Sequence, residues 1–382
     1  MLLFFSPIQL YIIFIYISRV ILNKTNAVYV NSEKLFVFFL QSIAISKKMC
    51  YNKNNVIFYG KDTAMKARFH LPDFAGHFKF NIIFSEFLAR RPEFFREGVE
   101  IASVYGVFPP SLWNGGRTQG GVCDKKFVKG VIKEFNDRGI PLRFTFTNPV
   151  LEKKHLSDDF CNMVLNLANN GMNEVIVVSP ILEDYIRKNF PKYKITSSTC
   201  KRITDGEQLC SEVEKDYHIV VIDYDLNHDF ETLEKITDKS KCELLVNACC
   251  NPNCPIRSDH YNAIGLQQIA YANHVKKYHD VPFNQERLLR EHPEIQKFAD
   301  CNCAGRSLFE VKKLKNHISP EEIWEKYIPM GFEQFKIEGR TFETFNLLEH
   351  YMYYMIKPEC RDEARFEFLR LLETNEVLQV LE

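Results

Sequence analysis

Cysteines are the residues in this 382-residue chain best placed to do chemistry together. Cys249-Cys250-Asn251-Pro252-Asn253-Cys254-Pro255 gathers thiols on a short, proline-stiffened stretch, and Cys301-Asn302-Cys303 adds two more. Four converging thiolates bind zinc or an iron–sulfur cluster. The spacings are Cys-x3-Cys and Cys-x-Cys, unlike the Cys-x2-Cys of a zinc ribbon, so buried free thiols stand as the competing reading. Cys161, Cys210 and Cys242 sit singly in apolar segments and read as small core residues. His260, six residues after Cys254, reads as a structural or substrate-facing group rather than a ligand.

A second set of residues suits an anionic ligand. Trp113-Asn114-Gly115-Gly116-Arg117 combines a close-approach glycine loop with a guanidinium, and Glu338-Gly339-Arg340 supplies another. Arg117, Arg257 and Arg340 each follow a different expected strand, and arginine forks suit carboxylate or phosphate. The three are expected to share one cleft with Trp113. Asn148, Asp223, Asn247 and Glu338 also stand at strand ends and complete the candidate set. Taken singly, each has a plainer role: Asp223 as a helix cap, Glu338–Arg340 as a salt bridge, Trp113 as a packed lid.

What must position these groups is an alternation of short apolar runs and amphipathic stretches. Strands are expected at Val99–Tyr105, Leu142–Thr147, Glu174–Val178, Lys194–Ser198, His218–Asp223, Cys242–Ala248 and Phe335–Ile337, with an eighth near Phe298-Ala299-Asp300. Between them, Phe127, Val128, Val131, Ile132 and Phe135 fall on one helical face, as do Leu156, Phe160, Val164, Leu167 and Ala168. Thr204 with Glu207, and Ser319-Pro320-Glu321-Glu322, are helix-start signals, and a helix is expected over Thr341–Ile356. Alternating strands and helices predict a parallel sheet with helical crossovers. Eight such units close into a TIM-like (β/α)8 barrel: an α/β fold, one domain, with the acidic C-terminal tail as a covering helix. An open doubly wound sheet is the alternative, but no glycine fingerprint follows a strand. In a barrel the loops after the strands form one rim, which is where the polar groups lie.

Charged residues are 26% of the chain and balance to a formal net charge of zero, which leaves no strong footprint for nucleic acid. The dilute cysteines suit a reducing, cytoplasmic setting rather than a disulfide scaffold. Residues 1–64 differ: 33 of them are Phe, Ile, Tyr, Asn or Lys, with one Asp, one Glu and one Gly. All five favoured types have A/T-rich codons, so this segment reads as translated upstream sequence, with Met49 or Met65 as the functional start. The barrel is placed at 65–382. A membrane anchor over Leu2–Leu22 is the rival reading, weakened by Pro7, Gln9 and Arg19, and an ordinary or disordered N-terminal extension is the third.

Asn247-Ala248-Cys249-Cys250-Asn251-Pro252-Asn253-Cys254-Pro255-Ile256-Arg257, followed by His260-Tyr261, resembles the cysteine-rich signature of peptidase family U32 and its relatives. Phe335-Lys336-Ile337-Glu338-Gly339-Arg340 resembles that family's Leu-Lys-Ile-Glu-Gly-Arg element. The likeness spans about residues 66–340 and is closest to an uncharacterised bacterial branch. It implies a barrel-like fold and an iron–sulfur cluster on four cysteines, here Cys250, Cys254, Cys301 and Cys303, with zinc as the alternative. It also implies one of two activities: peptidase, or hydroxylation of RNA or a small aromatic metabolite. The cysteine spacings depart from the family's, and the large C-terminal domain of its longer peptidase-type members has no counterpart in this reading. No Ser–His–Asp pattern, His-Glu-x-x-His or pair of catalytic carboxylates is identifiable. The reading is therefore an iron–sulfur-dependent modifying enzyme acting on an anionic small molecule or RNA, ahead of a peptidase or a non-catalytic zinc scaffold.

Overall fold

The computed structural model describes residues 66–278, 281–296, 298, 301 and 303–378. The segment 1–64, with its start sites and candidate anchor, lies outside them. Eight parallel strands close a barrel in chain order: β1 (Ala67–Pro72), β2 (Val99–Gly106), β3 (Leu142–Phe146), β4 (Glu174–Val177), β5 (Lys194–Ser197), β6 (Ile219–Val221), β7 (Cys242–Leu245) and β8 (Gln334–Lys336). β8 returns to pair with β1, aligning Phe335 with Phe69.

Seven of these strands are the ones expected, within a few residues. The eighth is not. Phe298 lies in a turn, and Ala299 and Asp300 are outside the described residues. Closure comes instead from β1, whose run Ala-Arg-Phe-His-Leu-Pro is broken by two basic residues. β7 therefore pairs directly with β8. The consequence for the cysteines is that both groups lie in one long β7–β8 connection rather than after two neighbouring strands.

Outside the strands lie α1 (Phe78–Arg90), α2 (Lys125–Asp137), α3 (Asp159–Leu167), α4 (Pro180–Asn189), α5 (Gly206–Glu214), α6 (Phe230–Lys235), α7 (Arg257–Lys277), α8 (Thr344–Met355) and α9 (Arg361–Thr374). α2 buries Val128, Val131, Ile132 and Phe135, while Phe127 is left 39% exposed at the edge of the apolar stripe. Its start is fixed by Asp124, whose carboxylate accepts from Phe127 N. α5 is capped by Asp205 rather than Thr204, because Asp205 accepts from Gln208 N at 2.9 Å. The Ser319–Glu322 capping box forms in both directions. α9 covers α1 through Phe368, whose ring meets Phe80, Phe84 and Phe87 at 5.2–5.5 Å. No helix among the described residues is long and apolar enough to cross a membrane.

Strand alternation sends Phe144 and Phe146 toward the helices and Arg143 and Thr145 to the opposite face. The barrel interior is accordingly polar. Arg143 is fully buried between Glu243, which it contacts closely, and Glu174 at 3.3 Å. His70 accepts from Ser103 Oγ at Nδ1 (2.7 Å) and donates from Nε2 to Gln334 Oε1 (3.0 Å), a pattern that fits a neutral ring. Burial holds His70 down at about 3, against the pull of Glu243. Burial raises the Glu243 carboxyl, but Arg143, Lys336 and His70 overcome it and hold the group ionised, well below its ordinary range. This layer is the floor on which the rim is built.

Candidate functional site at the barrel mouth

Two cavities open at the strand ends. The first is lined by Tyr105, Gly116, Arg117, Thr145, Lys336, Glu338 and Arg340, among others, and its volume is ≈ 600 Å³ counted out to solvent. The second contains Cys250, Arg257, His260, Cys301 and Cys303. Arg117, Tyr224 and Tyr261 belong to the walls of both.

The first cavity is built by backbone proximity. At Gly115 a Cβ would lie 2.1 Å from Thr147 O, so only glycine lets the β2–α2 loop pass the end of β3. Gly116 follows with φ +73, the left-handed region that glycine adopts without strain. Asn114, fully buried, donates to Arg117 O (2.8 Å) and accepts from Arg340 Nη1 (2.9 Å), so one amide holds the Arg117 backbone and the Arg340 guanidinium. Arg340 also donates to Thr145 Oγ1 (3.0 Å) and Gly115 O (2.8 Å). All these acceptors are neutral, and burial lowers its pKa. Arg117 pairs closely with Glu338, whose other oxygen accepts from Cys249 N at 2.9 Å. That carboxylate raises the Arg117 pKa against the opposing effect of burial. Lys336 Nζ lies 3.2 Å from Glu243 Oε1 and 4.2 Å from the Tyr105 ring centre. Burial pulls the Lys336 ammonium down to about 8; Arg143 and Arg340 add to this and Glu243 opposes it.

In the second cavity Arg257 is buried over the Tyr224 ring at 4.0 Å. Its Nη2 pairs with Asp223 (2.8 Å) and Asp225 (2.5 Å). Arg202 reaches the same two carboxylates at 3.1 Å. Burial raises Asp223 to about 6, partly countered by Asp225 N and Arg202. Arg257 Nε and Nη1 are buried without a hydrogen-bond partner, as is Arg117 Nε. His260 stacks on Phe298 at 5.3 Å, and burial lowers its pKa. The cysteine loop is held by Asn316 Nδ2 donating to Cys250 O, by Arg306 donating to Cys249 O, and by Asn253 N donating to Asp225. Burial pushes the Cys250 thiol up to about 12; the nearby Cys254 and Cys303 add to it, and a contact from Tyr224 opposes it. Thiols are the donor type that zinc and iron–sulfur centres use, so the chemistry of this set suits a metal centre. Among the described residues, no three His, Cys, Asp or Glu side chains stand already arranged around a common ion. Cys249 is buried, with its sulfur toward Asn247 O.

The expected residues therefore divide. Arg117 and Arg340 share the first cavity with Glu338, and Arg117 shares the second with Arg257, His260, Cys250, Cys301 and Cys303. Cys254 lies beside Cys250. Trp113 is not a lid: it is fully buried, donates to His155 O at 2.8 Å, and meets Phe146 edge-on at 5.2 Å. Asn148 ties the rim together by donating to Leu112 O and Gly265 O. Asn247 brackets Glu338, donating to its carbonyl (2.9 Å) and accepting from its N–H (2.6 Å). Asp223 acts on Arg257 rather than facing the first cavity. Tyr105, Thr145, Cys200, Tyr224, Tyr261 and Lys336 also line the first cavity and were not in the expected set. Lys336 had a signal: between Phe335 and Ile337 it must face the other side of the strand.

No family model matches the chain. An uncharacterised protease of Methanocaldococcus jannaschii is 27% identical over 99 residues, which is 25% of this chain and 29% of that protein. The chain thus matches under a third of that relative's length. The solved structure of the U32 peptidase Mk0906 superposes with a TM-score of 0.41 and 12% identity, over 75% of this chain and 96% of that one, a fit too loose to transfer any residue's role. The chain is similar to U32-type proteins, the group that its cysteine stretch and its Lys336–Arg340 element resemble.

Proposed function

We propose that the chain is an enzyme that modifies an anionic substrate held in the barrel mouth, beside an iron–sulfur centre carried by Cys250, Cys254, Cys301 and Cys303. The observation that carries this reading is the charge of the first cavity. Three cations, Arg117, Lys336 and Arg340, face it with one carboxylate, Glu338. Arg340 spends its donors on neutral acceptors, so its charge is left for a ligand. The substrate is a small carboxylate or phosphate ester, or the phosphate of an RNA nucleotide, and hydroxylation is the modification favoured. Zinc is the alternative occupant of the thiols. A bound cluster would supply electron transfer. The protein's own residues bind and orient the anion: Arg340 and Arg117 take the charge, while Tyr224 and Tyr261 separate it from the thiol side. All eleven described cysteines are free, which suits a reducing, cytoplasmic setting.

The name of the archaeal relative favours a peptidase as the second reading. The single carboxylate of the first cavity is already engaged by Arg117 and Cys249 N, which leaves no paired acid and base there. Release of peptides from a protein substrate by purified enzyme would favour that reading.

Calorimetry with malonate and with inorganic phosphate tests the anion site. One of them should bind to wild type, and Arg340→Lys should weaken binding about tenfold, or ~1.4 kcal/mol. Equal affinities in the two proteins would remove Arg340 from the site and the reading with it.

A further inference from the structure

The anion reading leaves Lys336 unexplained. Its side chain is 11% exposed and stands at the end of β8, in the wall of the first cavity, four residues before Arg340. Glu243, its ion-pair partner, is also contacted closely by Arg143 from β3, so Lys336 is one of two cations on that carboxylate. The groups around its amine are Glu243 on β7, Arg143 on β3, Arg340 beyond β8 and the Tyr105 ring on β2. An amine in the wall of a cavity that also presents the Arg117 and Arg340 guanidiniums is placed to meet the carbonyl carbon of a bound anion, and lysine beside other cations is a nucleophile.

We propose, resting on the anion-site reading, that the substrate is a 2-oxo acid whose carboxylate is taken by Arg340 and Arg117 and whose carbonyl forms a Schiff base with Lys336 Nζ. Lys336 and Arg340 line one cavity, so a ligand that carries its carbonyl next to its carboxylate presents one group to each. In the step, the amine nitrogen attacks the carbonyl carbon, and the carbon–oxygen π pair moves to oxygen. The lysine ammonium gives up two of its three protons, and both leave with the carbonyl oxygen as one water. The nitrogen keeps the third proton and the positive charge as an iminium. No oxidant or reductant is consumed. The incoming carboxylate also compensates the crowding of positive charge that an iminium beside Arg340 would otherwise maintain. With Lys336 drawn down to about 8, a usable fraction is unprotonated at neutral pH, and more at pH 8.

The experiment is borohydride trapping with pyruvate, 2-oxoglutarate and phenylpyruvate at pH 8, read by peptide mass spectrometry, alongside calorimetry of the same acids without borohydride. The expected result is one reduced adduct on the Lys336 peptide, absent from Lys336→Arg and reduced at subsaturating acid in Arg340→Lys. Because Lys336→Arg may not be assumed to fold identically, the wild-type location of the adduct is the deciding datum. An adduct on other lysines overturns the inference. Binding of an oxo acid without any adduct also overturns it and leaves the anion site standing. Binding of malonate or phosphate, with no oxo acid bound, overturns the 2-oxo acid assignment alone, and no binding of any anion overturns both.

Discussion

Arg340 and Arg117 look alike in the sequence and differ in the structure by one neighbour. Arg117 shares its charge with Glu338, whereas Arg340 has only an amide, a hydroxyl and a carbonyl. Removing the competing carboxylate should therefore act opposite to removing an arginine. Glu338→Gln retains an acceptor for Cys249 N and frees Arg117, so malonate or phosphate should bind severalfold tighter, on the order of 1 kcal/mol, by calorimetry. Weaker binding would mean that Glu338 positions Arg117 more than it competes with the ligand. At this scale the sequence was half legible. The arginines and cysteines announced themselves by type, but Trp113 could not be told from a lid, since its burial depends on His155 O and Phe146 being within reach. Asn148 and Asn247 were found at the rim, yet they hold backbone rather than face the first cavity.

Among the elements, hydrophobic alternation located seven strands because each carries an apolar run with a polar exit. β1 escaped because Arg68 and His70 interrupt its run, and His70 is there to complete the polar barrel floor. The expected strand at Phe298 failed for the converse reason: Phe298 packs with Ala263 and Ile295 in a small cluster. The floor gives a pH prediction. His70 is held at about 3 when folded, below its ordinary 6.5, so the unfolded chain binds its proton first as pH falls. Its contribution to stability is complete above 6.5 and is lost progressively from there down to about 3. Between pH 7 and pH 5 this amounts to about 2 kcal/mol. Urea midpoints at the two pH values should fall in wild type and fall less in His70→Gln, whose overall stability is lower. Parallel declines would show that carboxylates elsewhere set the slope.

For the whole molecule, the barrel does what its topology allows: a neutral, polar floor below, cations above it, and a long β7–β8 connection that folds its thiols against one side of the mouth. The folding-back of that one connection, not the cysteine spacing, brings positions some fifty residues apart into one cavity, which is why spacing motifs alone were a weak guide. The central claim is that these thiols carry an iron–sulfur centre. Its most direct test is the ultraviolet–visible spectrum, with iron and sulfide content, of protein purified without oxygen. Wild type and Cys161→Ser should be brown and hold iron and sulfide, and Cys254→Ser should lose the colour and the iron. Wild-type protein without iron and sulfide would contradict the account, and zinc in their place would give the thiols to the alternative occupant.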